Sequence, residues 1–499
     1  MSHDNMAFSD PPTQLEMDPT DYGSRKSEQY NLEIEPVYHQ STPPYGANDS
    51  SYQEKKLPLS TVFVIQDGLK PPKDDDYLPH QNREVEHPTT NCETLLHLLK
   101  GSLGTGILAM PLAFYHAGYA VGVVGTILIG LVCTYCIHLL IKAEYELCKR
   151  RRIPSLNYPE TAEAALEAGP GFFSAVAPYA GHVVNIFLLI YQLGTCCVYV
   201  VFVATNIQAV MDQYVGEIDV RIYMLILLLP LILINWVRNL KLLAPFSTLA
   251  NILTLVGFGI TIYYLFDTVP ELGDKSPIGS VQNMPLFFGT VLFALEAIGV
   301  ILPLENNMKT PKSFGGPVGV LNKAMFVIIL LYVGIGFLGY MRFGSEVAGS
   351  ITLNLPKDEI LAQSVKIMLA VAIFITHGLQ CYVAVDITWN QYLAPRAEKF
   401  EHQLLLEYGV RTFLVLLTFS LAVAIPDLEL FISLFGALCL SALGIAFPAI
   451  IDMAVFWDER SGCGFWVMLL KNLFLVLFAV LGLVTGSYIS LKEIVHKFS

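Results

Sequence analysis

The sequence predicts an all-α integral membrane protein of eleven transmembrane helices behind a soluble tail, and three observations carry that expectation. Of 499 residues, 54% are hydrophobic and 15% charged, with a mean hydropathy of +0.53. That leaves too little polar surface to solvate a soluble domain of this length. The apolar residues are gathered beyond residue 91 into runs long enough to cross a bilayer as helix, which takes about 20 residues. The charge is also divided, because residues 1–91 hold 16 Asp and Glu against 7 Lys and Arg, while the remaining 408 residues have a net charge of only −4. With no basic face anywhere, nucleic acid is excluded as a partner.

Residues 1–91 read as a disordered acidic cytosolic tail. They are rich in Pro, Ser, Asp, Glu and Tyr, as in the run PPKDDD at 71–76, and cannot bury enough apolar area to offset chain entropy. The start, MSHDNMAFSDPP, has neither a basic region nor an apolar core, so the first span is expected to direct insertion itself. Asn48-Asp49-Ser50 forms a glycosylation sequon that a cytosolic tail never presents to the enzyme. The apolar stretch from Leu57 to Ile65 is too short to span.

Residues 92–499 form the membrane body. The expected spans are 93–115, 118–142, 181–210, 221–237, 243–267, 284–304, 319–341, 360–386, 409–426, 429–451 and 465–491. Leu242 to Phe266 and Phe431 to Ile451 are uncharged throughout and are the firmest. The fourth is the weakest, since its uncharged core is short and contains Pro230, although Arg221 and Arg238 at its ends are able to snorkel. Positive residues are retained on the cytosolic side. With the tail inside, inner loops hold twelve Lys and Arg, among them Lys149, Arg150, Arg151 and Arg152, against six outside, among them Lys275 and Arg342. The tail is therefore expected in the cytosol and the C-terminus outside or in a lumen, with no globular module after the last span. All nine Cys lie in or beside apolar spans or in cytosolic loops, so no disulfide framework is expected.

Two spans depart from plain helix. Span one contains Lys100-Gly-Ser-Leu-Gly-Thr-Gly-Ile-Leu-Ala-Met-Pro111, whose three glycines and proline disfavour continuous helix. Span six contains Phe293-Ala-Leu-Glu-Ala-Ile-Gly-Val-Ile-Leu-Pro303. Non-helical backbone at membrane depth is tolerated only where it lines a cavity inside protein. Interruptions five spans apart, in matching positions of two halves, point to an inverted-repeat secondary transporter with its site between the breaks. Kinks used only for close helix packing are the plainer reading of the same residues.

The strings His97-Leu-Leu-Lys-Gly-Ser-Leu-Gly-Thr-Gly-Ile-Leu, Gln192-Leu-Gly-Thr-Cys-Cys-Val-Tyr, Pro285-Leu-Phe-Phe-Gly-Thr, Gly299-Val-Ile-Leu-Pro-Leu-Glu-Asn and Gly349-Ser-Ile-Thr-Leu-Asn-Leu-Pro resemble the proton-coupled amino acid transporters, within the amino acid/auxin permeases of the APC superfamily. The resemblance covers about residues 92–490 and leaves the tail unexplained. It implies eleven spans, a LeuT-like 5+5 inverted repeat with broken helices 1 and 6, and symport of a small neutral amino acid with a proton. It also implies a proton-linked His at the position of His97. Vertebrate members join the loops after spans three and seven by a disulfide, and here those loops, Met211 to Val220 and Met341 to Glu359, contain no Cys.

The candidate site follows from backbone chemistry. The break at Gly101, Ser102, Gly104, Thr105 and Gly106 presents unpaired N–H groups at the positive end of a half-helix, where a substrate carboxylate fits. Phe293, Leu295 and Gly299 are expected to supply the facing wall and to limit side-chain size. Ionisable residues inside a membrane are functional candidates, which selects His97 and Glu296 for proton coupling. Glu93, His97 and Lys100 share one helix stripe and make a candidate charge relay, against simple snorkelling of Glu93 and Lys100. His138, His377 and Asp386 read as packing or interface groups, and Glu401 to Leu406 as an interfacial segment rather than a sorting signal. Cys133 and Cys136 form a CxxC without a second ligand pair, so neither a metal nor a cofactor is expected.

The expected partners are small neutral amino acids of the alanine, glycine and proline class, protons and the lipid bilayer. The expected location is the plasma membrane or a lysosomal or endosomal membrane. The rival readings are an amino acid sensor that signals through cytosolic partners of the tail without net flux, a channel, and sodium-coupled transport.

Overall fold

The computed structural model describes residues 77–83, 85, 88–238, 240–266, 275–295, 298–397 and 401–498. Most of the tail, including the Asn48 sequon and Leu57 to Ile65, lies outside them, as do Glu296 and Asp274.

The body is all helix. In chain order it comprises α1 (Asn91–Ser102), α2 (Thr105–Ala117), α3 (Tyr119–Arg151), α4 (Tyr158–Ala168), the short α5 (Gly171–Ser174), α6 (Ala177–Val215), α7 (Val220–Asn235) and α8 (Leu240–Phe266). There follow α9 (Met284–Leu295), α10 (Ile298–Asn306), α11 (Val320–Phe343), α12 (Ile360–Val385), the four-residue α13 (Ala394–Ala397), α14 (Gln403–Ala424), α15 (Leu428–Phe435), α16 (Phe447–Val455) and α17 (Gly462–Phe498). Among the described residues nine helical stretches are long and apolar enough to cross a membrane, α1 and α2 together make a tenth with a bend of 54°, and α7 is a shorter apolar helix. Outward-facing side chains such as Leu225 and Ile226 are more than 60% exposed, a surface that suits lipid and not water.

Local chemistry explains the breaks. Thr90 and Glu93 close a capping box at the start of α1, satisfying two orphan donors. The helix stops at Ser102, where Leu103 and Gly104 leave helical geometry before α2 begins. The turn from α2 to α3 passes through Gly118 at φ +79°, a conformation side chains rarely adopt, with residues 276–279 packed against it. Two π-helical stretches, Asp386–Leu393 after α12 and Gly436–Ala446 between α15 and α16, interrupt regular helix; such wide turns gather at functional positions. At the second, Gly436 and Gly289 of α9 leave no room for a Cβ, Gly436 facing the Gly289 backbone and Gly289 that of Ser433. α2 is sandwiched between α9 and α11, while α12 lies against α6 and α8.

Candidate functional site

The break between α1 and α2 meets α9 directly. A Cβ on Gly106 would lie 2.6 Å from the Ala294 Cα, so glycine is required for this approach. Breaking a helix frees carbonyls as well as N–H groups, and a buried carbonyl without a donor is costly. Here one group serves both sides, because the Tyr332 hydroxyl of α11, fully buried, lies against the Ser102 carbonyl and 2.7 Å from that of Ala294. Opposite it, α2 starts at Gly104 with no side-chain cap, and the Thr105 Oγ1 is buried without a partner. An uncapped first turn and an unused hydroxyl form a positive, donor-rich spot inside an apolar bundle.

Phe293 is buried, its ring edge-on to Tyr191 of α6 with centroids 6.0 Å apart, and its Cβ crowds Gly436. Leu295 is buried with its Cδ1 toward Gly130 of α3, 3.6 Å from where a Cβ there would sit. Gly299 is exposed on α10, with Leu188 of α6 nearby. Gly101 is exposed, and Ser102 is buried with its Oγ donating to the Leu98 carbonyl at 3.2 Å. Thus the structure brings Ser102 to Gly106 together with Ala294 and the Phe293 backbone, and does not bring Gly299 to the same point. Beside the break lies a cavity of about 380 Å³ that reaches Lys100, Gly101 and Gly104 and is walled by Tyr199, Asn251, Thr376 and Gln380. The Gln380 side chain pairs with the Tyr199 hydroxyl. None of these polar groups was a sequence candidate; their signal was a lone polar residue in an apolar span.

His97 is exposed on α1, and Glu296 is outside the described residues. The stripe of Glu93, His97 and Lys100 does not close into a relay: Glu93 turns back to Thr90 at 2.8 Å, and Lys100 donates to Ser247 of α8 at 3.2 Å. His138 meets Asn322 at 2.8 Å and His377 meets Asn235 at 3.3 Å.

Each end of the broken span is tied by a charge pair. At the α2 end, His116 meets Glu429 of α15. At the α1 end, Arg83 reaches Glu305 of α10 at 3.2 Å and the Pro154 carbonyl at 2.9 Å.

These features define a multi-span helical membrane protein with a broken span. The chain belongs to the family described as transmembrane amino acid transporter protein, which it matches over residues 87–492. The Drosophila melanogaster "Proton-coupled amino acid transporter-like protein pathetic" is 42% identical over 426 residues, 85% of this chain and 89% of the relative. The Caenorhabditis elegans "Probable amino acid transporter skat-1" is 26% identical over 432 residues, 84% of this chain and 93% of the relative. Among solved structures, inward-facing Mhp1 is similar over 83% of this chain and 94% of its own, with a TM-score of 0.48 and 14% identity.

Proposed function

We propose that the protein is a secondary active transporter that moves small neutral amino acids of the alanine, glycine and proline class together with a proton. The observation that carries this reading is the uncapped start of α2 at Gly104, with the partnerless Thr105 hydroxyl beside it. A carboxylate held on backbone N–H groups there is read without regard to side chain, so selectivity falls to the crowding by Phe293 and its neighbours. The relative named as proton-coupled supports the choice of cation. In this reading the bundle has eleven spans, counting α7 as the fourth, arranged as a LeuT-like 5+5 inverted repeat with its second break at Glu296, and the tail and the Lys149 to Arg152 loop face the cytosol with the C-terminus opposite. The membrane is the plasma membrane or a lysosomal or endosomal one.

His97 and Glu296 are assigned the proton. A proton falling through one pH unit releases about 1.4 kcal/mol, and a positive charge crossing about 100 mV adds about 2.3 kcal/mol. Together they would sustain roughly 500-fold accumulation of a neutral solute at tenfold per 1.4 kcal/mol. Uptake into proteoliposomes under separately imposed pH and sodium gradients tests this. Alanine, glycine and proline should compete and arginine and glutamate should not, with acid outside stimulating flux. Equal competition by arginine and alanine, dependence on sodium at fixed pH, or binding without flux would each overturn it. His97→Ala and Glu296→Gln should each blunt the acid stimulation.

A further inference from the structure

The α1 end of the molecule buries two carboxylates that transport of a neutral solute does not require. Glu144 of α3 is fully buried, and Glu305 of α10 nearly so. They are close enough for the charge of one to be felt at the other. Glu144 Oε1 accepts from the Leu156 N–H at 3.1 Å and from the Cys148 thiol at 3.2 Å, while its Oε2 is buried without a partner. Against two negative charges stands the permanent cation Arg83, which comes from the segment ahead of α1 and not from the bundle. Its Nη2 lies 3.2 Å from Glu305 Oε2, its Nη1 donates to the Glu305 carbonyl at 3.4 Å and its Nε to the Pro154 carbonyl at 2.9 Å.

These bonds cross a seam. On one side α1 is sewn to the chain after α10: Thr89 exchanges backbone bonds of 2.8 Å with Asn307 and Lys309, and Asn91 accepts from Thr310 and Ser313. On the other side is the loop 152–157 that follows α3. Arg83 bridges the two to Pro154, as does Asn306, whose Nδ2 donates to the Leu156 carbonyl at 3.3 Å. Lifting the Arg83 segment off both sides, while Asn306 keeps α10 on the loop, leaves two like charges buried together without their cation. A buried carboxylate pair without a counter-ion takes up a proton.

We propose that Glu144 and Glu305 form a proton-binding site, one of its two charges balanced by Arg83 while this end is shut and by one proton, taken from the adjoining water, when the Arg83 segment lifts; acid at this face therefore favours opening. The site is distinct from the His97 and Glu296 pair and stands whether or not transport is proton-coupled. Among the described residues the other titratable groups facing it are His80, its ring tilted against Tyr145 with centroids 4.7 Å apart and its Nδ1 3.7 Å from Glu305, together with Cys148, Tyr77 and Lys312. Burial first, then the Arg83 and Lys312 charges, hold His80 down to about 4, so it stays neutral while this end is shut.

The test uses the full chain with exposed Cys92 and Cys463 replaced by Ser and spin labels at Asn82→Cys and Ser155→Cys, two exposed positions on either side of the seam. At about pH 8 the label distance should be single and short, and by about pH 5 a longer population should hold more than half of the molecules. Glu305→Gln should show the longer population already at about pH 8, and Arg83→Gln at both. Glu144→Gln should move the transition to lower pH, and His80→Gln should shrink the response without abolishing it. A distance unchanged between the two pH values, a Glu305→Gln protein as closed as the parent, or loss of the response in His80→Gln would overturn the assignment.

Discussion

At the α2 end of the broken span an imidazole meets a carboxylate in a half-open setting, the side chains of His116 and Glu429 being 11% and 24% exposed. At the α1 end a guanidinium meets a carboxylate in a closed one, with Arg83 and Glu305 at 6% and 2%. The difference is in which partner loses its charge. Arg83 never deprotonates, so on the proposal above acid acts on its carboxylates and weakens the α1 tie.

The comparison can be broken most sharply at Arg83. Arg83→Ala strands the Glu305 charge beside Glu144, a change that costs about 3–5 kcal/mol for a buried pair, and a thermal melt should record it as a large drop. Arg83→Lys should recover only part of the loss, because a single ammonium cannot serve Pro154 and Glu305 together. A melting temperature for Arg83→Ala equal to the parent's would show that the α1 end is held by other contacts.

Between the two ends, Tyr332→Phe removes the donor shared by the Ser102 and Ala294 carbonyls. The expected cost is about 1–3 kcal/mol, with slower solute uptake, because the break and α9 lose their common anchor. Melts and initial uptake rates on one preparation would check both, and unchanged values for each would mean that other donors satisfy these carbonyls.

At the α2 end the effect is smaller. His116→Gln keeps hydrogen bonding but removes the ionic component of a partly exposed pair, about 1 kcal/mol or less. Its melt should fall only slightly below the parent's, and a drop as large as that of Arg83→Ala would refute the ranking of the two ends.

Smallest at neutral pH is His80→Gln. His80 is held neutral by burial down to about 4, whereas an unfolded histidine takes its proton near 6.5. A depressed pKa contributes stability that is complete above about 6.5 and is lost as the pH falls toward about 4. The parent should therefore lose stability more steeply than His80→Gln over that window, with near-identical melts above it.

Much of this was legible in the residues, and the rest was not for definable reasons. Gly104 announced the first break because glycine acts through the local backbone, whereas Gly106 and Pro111, also expected to disfavour helix, lie inside α2. The apolar runs announced helices such as α6 and α12 because in lipid every backbone group must be satisfied within the segment. Tyr332 was invisible, since a phenol in an apolar helix looks like packing until its hydroxyl is found against two carbonyls from chain segments 230 and 38 residues away. Arg83 was counted as one cation of an acidic tail, and no local pattern says that a charge will fold back onto α10. Tyr199 and Gln380 escaped for the same reason, being joined only by the crossing of α6 and α12. The helix α4 also lay unread, in a stretch where alanines gave no apolar period.

The short α7 has its own consequence. Its 16 residues rise about 24 Å at 1.5 Å each, against a hydrocarbon layer of about 30 Å. Arg221 sits at one end and Trp236 at the other, donating to the Val423 carbonyl at 3.1 Å and to Thr412 at 3.0 Å respectively, so both ends are pinned to α14 and tilt offers no extra length. Lipid beside α7 must therefore thin by several ångströms, at fractions of a kcal/mol per ångström. Counted as the fourth span of the proposed arrangement, α7 suits a hydrocarbon layer several ångströms thinner than average, a preference written in helix length alone.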